Sequence, residues 1–213
     1  MTEQVGKIEK PTAERFKQEK KIYLIPLMYT SKNAPPEFNE KIACYWQQVV
    51  EQLANLEAKI GKIKHVYHES IHQSSEDGMK FMEKINPDGY QISMDKCGDG
   101  AVLEAIENKE ILDEAVDWER CILLGFVSEK VASKVSEFYV EALKKRYEFM
   151  VKRISETLKC KEAGLLFITE NHRLQFPDDI EVFNVFPPAM DEIHRWLRDH
   201  AEKELEEQKK NKN

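Results

Sequence analysis

The chain of 213 residues is 41% hydrophobic and carries 32 lysines and arginines against 39 aspartates and glutamates, a formal charge of −7. This length suffices for a hydrophobic core without disulfides or metal ions, and 8 glycines, 8 prolines and regularly spaced apolar residues exclude a collagen-like or wholly disordered chain. The net acidity excludes general coating of nucleic acid, because that binding requires a surplus of cations.

The first 20 residues are polar and lysine-rich, which predicts a mobile or loosely docked arm. No stretch of the chain approaches the ~18 to 20 apolar residues that a bilayer-spanning helix needs, so we expect no membrane partner. The cysteines Cys44, Cys97, Cys121 and Cys160 include no Cys-x-x-Cys pair. We therefore expect reduced thiols and a cytoplasmic location.

Segments typical of strands and helices alternate in the first half of the chain. In order, the patterns predict a strand at residues 22–29, a helix at 37–60, a strand at 62–71 and a helix from Ser74 or Ser75 to Ile85. A turn at residues 87–89, a short strand at 90–94 and a glycine-containing loop at 95–100 are expected next. An acidic, broken helix at residues 101–118 and a buried strand at 121–126 follow.

The second half contains the strongest single pattern. Apolar residues recur at helical spacing from Ser128 to Lys159 without glycine or proline, which predicts a helix of about 32 residues. Strands at residues 163–169 and 180–186 and a last helix beginning at Pro187 or Pro188 complete the chain.

This alternation predicts the α/β class, with a layered sheet of about five or six strands, mostly parallel or mixed, flanked by helices that include one long amphipathic helix. We expect residues 1–20 to be a flexible arm, residues 21–201 to form a single α/β domain, and residues 202–213 to be a charged, frayed tail.

The string His68-Glu69-Ser70-Ile71-His72 matches His-Glu-x-x-His, the pattern of zinc metalloproteases. On a helix, His68 and His72 would bind zinc and Glu69 would act on the attacking water. The surrounding residues favour a strand instead, and along a strand two positions four apart are separated by roughly 13 Å. Glu104 and Glu107 are the candidates for a third ligand. A zinc-dependent hydrolase is therefore an alternative function, and no other cofactor is predicted.

His65 extends this cluster to three histidines in eight residues, which indicates weak metal binding more than catalysis. Among the cysteines, Cys97 lies in the glycine-containing loop, so it is the candidate for a reactive thiol.

The second half of the long helix is basic. Lys145, Lys152 and Lys159 recur every seven residues, so they share a helix face that could contact RNA or another anion. The acidic segment at residues 99–117 offers an opposite charge within the same protein. We expect the two segments to face each other within or between subunits. Nucleic acid is therefore not the expected partner, and a local contact through the basic face stays an alternative.

From these patterns we predict a cytosolic α/β protein without a clear catalytic site. Its function is binding or assembly, and it forms a homo-oligomer through the long helix, which is longer than a small core requires. The alternatives are the zinc-dependent hydrolase and an RNA- or ribosome-associated docking protein that uses the basic helix face.

Overall fold

The structure, a computed structural model, describes residues 13–31 and 33–210. Within these ranges the chain forms five strands and seven helices. In order they are α1 (Ala13–Lys17), β1 (Lys20–Pro26), α2 (Pro36–Ile60), β2 (Ile63–His68), α3 (Ser75–Ile85), α4 (Pro87–Gly98), β3 (Val102–Glu104), α5 (Lys109–Leu124), α6 (Glu129–Thr157), β4 (Ala163–Ile168), β5 (Ile180–Asn184) and α7 (Pro188–Lys210).

The five strands form one parallel sheet in the order β3-β2-β4-β1-β5. β4 lies at its centre, with Leu165 in register with Val66 of β2 on one side and with Tyr23 of β1 on the other. All six residues of β4 are buried, as expected for a parallel strand covered on both faces. The predicted α/β class with a flanked sheet is thereby confirmed.

Alternating side chains of the strands build a core on each face of the sheet. Tyr23 and Ile25 of β1 point toward α2, α3, α4 and α7, whereas Ile22 and Leu24 point toward α6. On the first face, Phe38 of α2 contacts Trp196 of α7, with ring centroids 4.7 Å apart. Helices on both faces explain why the strands read as continuous apolar runs.

α5 and α6 form a helical hairpin, joined at Gly125, whose φ of +72° favours glycine. The second half of α6 packs on the sheet through Met150 and Ile154. Its first half packs against α5, and no residue of α6 before Ala142 is buried. The outer part of the hairpin is therefore two helices without a third layer.

Several predicted elements agree with the structure. The long helix is α6, and the helix predicted at residues 37–60 is α2. The predicted strands at 62–71, 163–169 and 180–186 contain β2, β4 and β5, and the strand predicted at 22–29 overlaps β1, which begins two residues earlier and ends at Pro26. The predicted helix ending at Ile85 is α3.

The predictions for residues 87–100 were wrong. Pro87 opens α4 instead of a turn, because Asn86 caps the helix by accepting a hydrogen bond from the Gly89 backbone N–H at 3.0 Å. The predicted strand at residues 90–94 lies inside α4, and the predicted glycine loop is the end of that helix and the turn after it. Cys97 is therefore a helical residue.

The predictions for residues 101–126 also need correction. The segment at 101–118 contains the edge strand β3 before α5 begins. The apolar run at 121–126 is not a buried strand but the end of α5 and the hairpin turn, where Leu123 and Leu124 are 80% and 84% exposed. An apolar run that faces solvent cannot be told from a buried strand by sequence alone.

The predicted terminal segments lie partly outside the described residues, at 1–12 and 211–213. Of the described part of the predicted arm, residues 13–17 form α1 and Phe16 packs edge-on against Phe183 at 5.2 Å. The predicted tail is helical as far as Lys210. No helix in the described ranges combines the length and apolar content that a membrane span needs.

Candidate functional site

Polar side chains collect at the carboxyl ends of the strands. Because the strands are parallel, these ends share one edge of the sheet. Glu69 directly follows β2, and Thr169 directly follows β4. Since β2 and β4 are adjacent, the two residues meet, and the Thr169 backbone N–H donates to Glu69 Oε1 at 3.1 Å. The fold thus joins residues that are 100 positions apart in the sequence.

The chain leaves β2 and β4 in opposite directions. From β2 it continues through α3 and α4 to β3, at one edge of the sheet, whereas from β4 it crosses to β5, at the other edge. This divergence opens a crevice outside the carboxyl ends of the two strands, which is where open α/β sheets bind ligands. Glu69 and Thr169 lie at this crevice.

Arg146 of α6 lies between two glutamates. Its Nε donates to Glu107 Oε1 at 2.8 Å, and its Nη2 donates to the same oxygen and lies 3.9 Å from Glu69 Oε2. Glu107 Oε1 also accepts from the Ser70 backbone N–H at 3.2 Å. The Glu107 side chain is only 1% exposed, so its carboxylate needs a buried counter-charge, which the Arg146 guanidinium supplies. One cation therefore serves two carboxylates.

Burial raises the pKa of Glu69 to about 7. The charge of Arg146 and the hydrogen bond from Thr169 oppose this rise, whereas the charges of Glu107 and Glu119 add to it. A carboxyl group with this pKa exchanges its proton near neutral pH, as acid–base and proton-linked binding groups do.

A cavity of about 280 Å³ opens beside Glu69. Its polar wall consists of Glu69, Glu119, Tyr139, Arg146, Tyr147 and Thr169. Burial raises the pKa of both tyrosines, so their hydroxyl groups stay protonated at neutral pH. Ser70, also in the wall, has a φ of +73°, a strained conformation for a residue with a side chain. We refer to this space as the Glu69 cavity.

A larger groove of about 790 Å³ lies between α6 and the loop that joins β4 to β5. Leu143 and Tyr147 line both spaces, so the groove adjoins the Glu69 cavity. The apolar wall of the groove is formed by Val140, Leu143, Tyr147, Val151, Phe176 and Pro177. We refer to it as the α6 groove.

The outer part of the hairpin presents an apolar surface to solvent. Seven of the fourteen large hydrophobic residues that are exposed in the described part of the chain lie within residues 123–140. The hairpin surface, as we call it, consists of Leu123, Leu124, Val127, Val131 and Phe138. A stacked contact between Trp118 and Phe138, with ring centroids 5.0 Å apart, ties α5 to α6 at this surface. Exposed apolar side chains collected in one segment are typical of interaction surfaces.

The fold separates the three histidines predicted as metal ligands. His65 faces α6 and lies between two carboxylates, with Nδ1 3.2 Å from Glu104 and Nε2 3.2 Å from Glu162. His68 points to the opposite face, where Nε2 lies 3.3 Å from Asn86 Nδ2 and Nδ1 bonds the Glu69 carbonyl.

The helix that the His-Glu-x-x-His pattern requires is absent from residues 68–72. His68 ends β2, and His72 lies in the following loop, where its ring packs against Phe81. In the described residues, no group of three or more histidine, cysteine or acidic side chains has the arrangement of a metal site. Of the pattern, only Glu69 reaches the candidate site.

The other predicted site residues lie elsewhere. Cys97 is partly buried in the last turn of α4, and burial raises the pKa of its thiol, whereas a reactive thiolate needs a lowered one. Lys145 lies 3.4 Å from Glu141, Lys152 lies 3.9 Å from Glu156, and Lys159 donates to the Glu156 carbonyl at 2.8 Å. The basic helix face thus carries its own partners.

The expected contact between the acidic and basic segments occurs once at the centre of the site, where Glu107 meets Arg146. Nothing in the sequence pattern places Arg146, Tyr139 and Thr169 beside Glu69, since their proximity depends on the strand order. Comparison with known proteins adds no relative: no family model, curated protein or solved structure matches the chain.

Proposed function

We propose that the protein is an assembly module that pairs with a second copy of itself through the hairpin surface. The observation that carries this proposal is the exposure of Leu123 (80%), Leu124 (84%) and Val127 (108%) on a two-helix projection. Two such hairpins packed side by side make a four-helix bundle, which removes the apolar seam from water. The same patch serves both partners in a two-fold dimer.

The acidic α5 of a second copy offers partners for two lysines in the outer part of α6. α5 has five acidic residues against two basic ones, whereas α6 has seven basic residues against five acidic ones. Most of the basic residues of α6 lie in its second half, which packs on the sheet, and the cations of the outer part, residues 129–141, are Lys130 and Lys134. When α5 of one copy packs on this part of α6 of the other, these two lysines can meet acidic residues of α5.

Sedimentation equilibrium of the full chain tests the proposal. We expect a dimer for the natural protein and a shift to monomer for the double variant Leu123→Glu, Leu124→Glu. Because each buried leucine contributes about 1.5–3 kcal/mol, the dissociation constant should rise at least about a hundredfold. The matched control is Val50→Glu on α2, which also replaces a half-exposed apolar side chain (51%) but lies far from the hairpin in the fold. A natural protein that is monomeric at high micromolar concentration overturns the proposal.

A charge-exchange experiment tests the pairing of α5 with α6 of the other copy. Asp113→Lys with Asp117→Lys on α5, or Lys130→Glu with Lys134→Glu on α6, should each weaken the dimer. All four changes in one chain should restore it, because the complementary charges are only exchanged. If the fourfold variant is weaker than either double variant, the two helices do not face each other across the interface.

The two alternative functions stay predictions, each with its own measurement. A zinc-dependent hydrolase requires stoichiometric zinc in untagged protein and its loss in His68→Ala. RNA or ribosome docking requires salt-sensitive binding that is lost when Lys145, Lys152 and Lys159 are changed to glutamate.

A further inference from the structure

We propose that the Glu69 cavity binds a small organic amine as its ammonium ion, with the apolar part of the amine in the adjoining α6 groove. The proposal does not depend on self-association, because none of the five residues that define the hairpin surface lines either space.

The charge balance of the Glu69 cavity selects a cation. Glu69 and Glu119 line the cavity, and the one guanidinium among its wall residues, that of Arg146, is already engaged by Glu107. A negative charge therefore remains without a partner when Glu69 is ionised. An anionic ligand is repelled by this arrangement, whereas an ammonium ion supplies the missing counter-charge.

The two oxygens of Glu69 have different surroundings. Oε1 accepts a hydrogen bond from the Thr169 backbone N–H, which fixes the carboxyl group at the crevice. Oε2 has, in the described part of the chain, only the 3.9 Å contact with Arg146, which is too long for a hydrogen bond. Oε2 is therefore the acceptor for an ammonium proton.

Tyr139 and Tyr147 add two aromatic rings to the wall of the cavity. A ring face attracts an ammonium ion, and the attraction is stronger in a partly desolvated site than in water. Because Tyr147 also lines the α6 groove, a hydrocarbon chain attached to the ammonium group passes directly from the polar space to the apolar one. The volume of the groove, about 790 Å³, is typical of sites for small organic ligands.

Calorimetric titration with hexylamine, hexanoate and hexanol tests the proposal, since the three probes share a chain length and differ in charge. We expect hexylamine to bind most tightly, and its affinity to rise about fourfold for each methylene added along the series from butylamine to octylamine. Preference for hexanoate would assign the groove to anions, through the basic side chains Lys144, Lys152 and Arg173 that also line it. Equal binding of hexanol would show that charge has no part. Either result overturns the proposal.

Variants locate the binding site. Glu69→Gln should weaken hexylamine binding at least tenfold, whereas Glu40→Gln, an exposed glutamate on α2, should leave it unchanged. Leu143→Trp fills the junction of the two spaces, so it should abolish the dependence on chain length. Glu69→Gln that folds normally and binds hexylamine as tightly as the natural protein overturns the proposal.

The pH dependence gives an independent measurement. The groups that face Glu69 are Arg146 on α6, Glu119 on α5, Glu107 after β3 and Tyr29 after β1, and Tyr139 and Tyr147 complete the wall. Since the pKa of Glu69 is about 7, the affinity for hexylamine should fall toward tenfold per pH unit below pH 7. Glu69→Gln should remove this dependence, and a natural protein whose affinity is flat from pH 5 to pH 8 contradicts the assignment.

Discussion

The consecutive residues His68 and Glu69 lie in opposite surroundings. His68 is fully buried on the face covered by α4, where burial lowers its pKa to about 4. Glu69 lies at the carboxyl edge of the sheet, where burial raises its pKa to about 7. Burial favours the uncharged form of both residues, so His68 loses its proton more readily than usual and Glu69 keeps its proton to a higher pH.

The two residues should give stability opposite dependences on pH. The folded pKa of Glu69 exceeds its ordinary value of 4.5, so its contribution is complete below pH 4.5 and is lost as the pH rises through 7. The folded pKa of His68 is below its ordinary 6.5, so its contribution is complete above pH 6.5 and is lost as the pH falls through 4. Each contribution is of the order of 3 kcal/mol, and between pH 4.5 and 6.5 the two largely cancel.

Urea unfolding of single variants across this range separates the contributions. Relative to the natural protein, Glu69→Gln should lose stability as the pH falls from 6.5 to 4.5, because only the contribution of His68 then depends on pH. His68→Gln should gain stability over the same interval. Two variants with the pH profile of the natural protein would show that neither residue is perturbed as described.

At the level of elements, helix caps decide where α4 and α5 begin. Asn86 accepts from the Gly89 N–H at 3.0 Å and contacts His68 through its amide nitrogen, whereas Asn108 accepts from the Glu110 and Ile111 N–H groups at 2.9 and 3.2 Å. The Asn86 side chain is buried, and Asn108 is partly exposed. The two caps are alike in chemistry and differ in burial.

We expect Asn86→Ala to lower the free energy of unfolding by about 2–3 kcal/mol and Asn108→Ala by about 1 kcal/mol. Both variants lose a cap, but only Asn86→Ala also leaves His68 Nε2 without its buried partner. Chemical denaturation of both variants at neutral pH measures the difference. Equal losses would mean that the contact between Asn86 and His68 contributes nothing.

The sequence predicted the long periodic helices and the buried strands, and failed between residues 87 and 126. α6 was predictable because its apolar stripe continues without glycine or proline, and β4 because its run is short and apolar. α4 was missed because Pro87 was interpreted as part of a turn, whereas proline is also favoured in the first turn of a helix. The end of α5 was missed because its apolar residues face solvent.

At the scale of the whole molecule, the hairpin and the sheet differ in how much of their surface is buried. β1 and β4 are covered on both faces, whereas the outer part of α5 and α6 has solvent on one side. Segments with few buried contacts open at low free energy, so the hairpin should open independently of the sheet.

Hydrogen exchange should show this difference and its dependence on association. In dilute protein we expect amides of residues 123–140 to exchange faster than those of β1 and β4. At high concentration the hairpin amides should become protected, because only the dimer covers them. The variant Leu123→Glu, Leu124→Glu should show no such gain, and protection that is independent of concentration in the natural protein contradicts the proposed dimer.

The candidate site was predictable only in part, because it depends on the order of the strands in the sheet. The pattern drew attention to Glu69 for a reason that the structure does not support, since its helix is absent. Arg146 and Thr169 reach Glu69 through the packing of α6 and the placement of β4 beside β2. No local periodicity carries that information.

The place of β4 in the sheet also sets the order in which the protein can fold during its synthesis. β1 and β2 do not pair with each other, because both pair with β4, which lies between them. The register partner of Val66 is Leu165, which is synthesised 99 residues later. When synthesis has reached the end of α6, the only native strand pair that can form is β2 with β3, because every other pair requires β4 or β5. Because such long-range pairing is slow, the sheet completes only when the last quarter of the chain emerges.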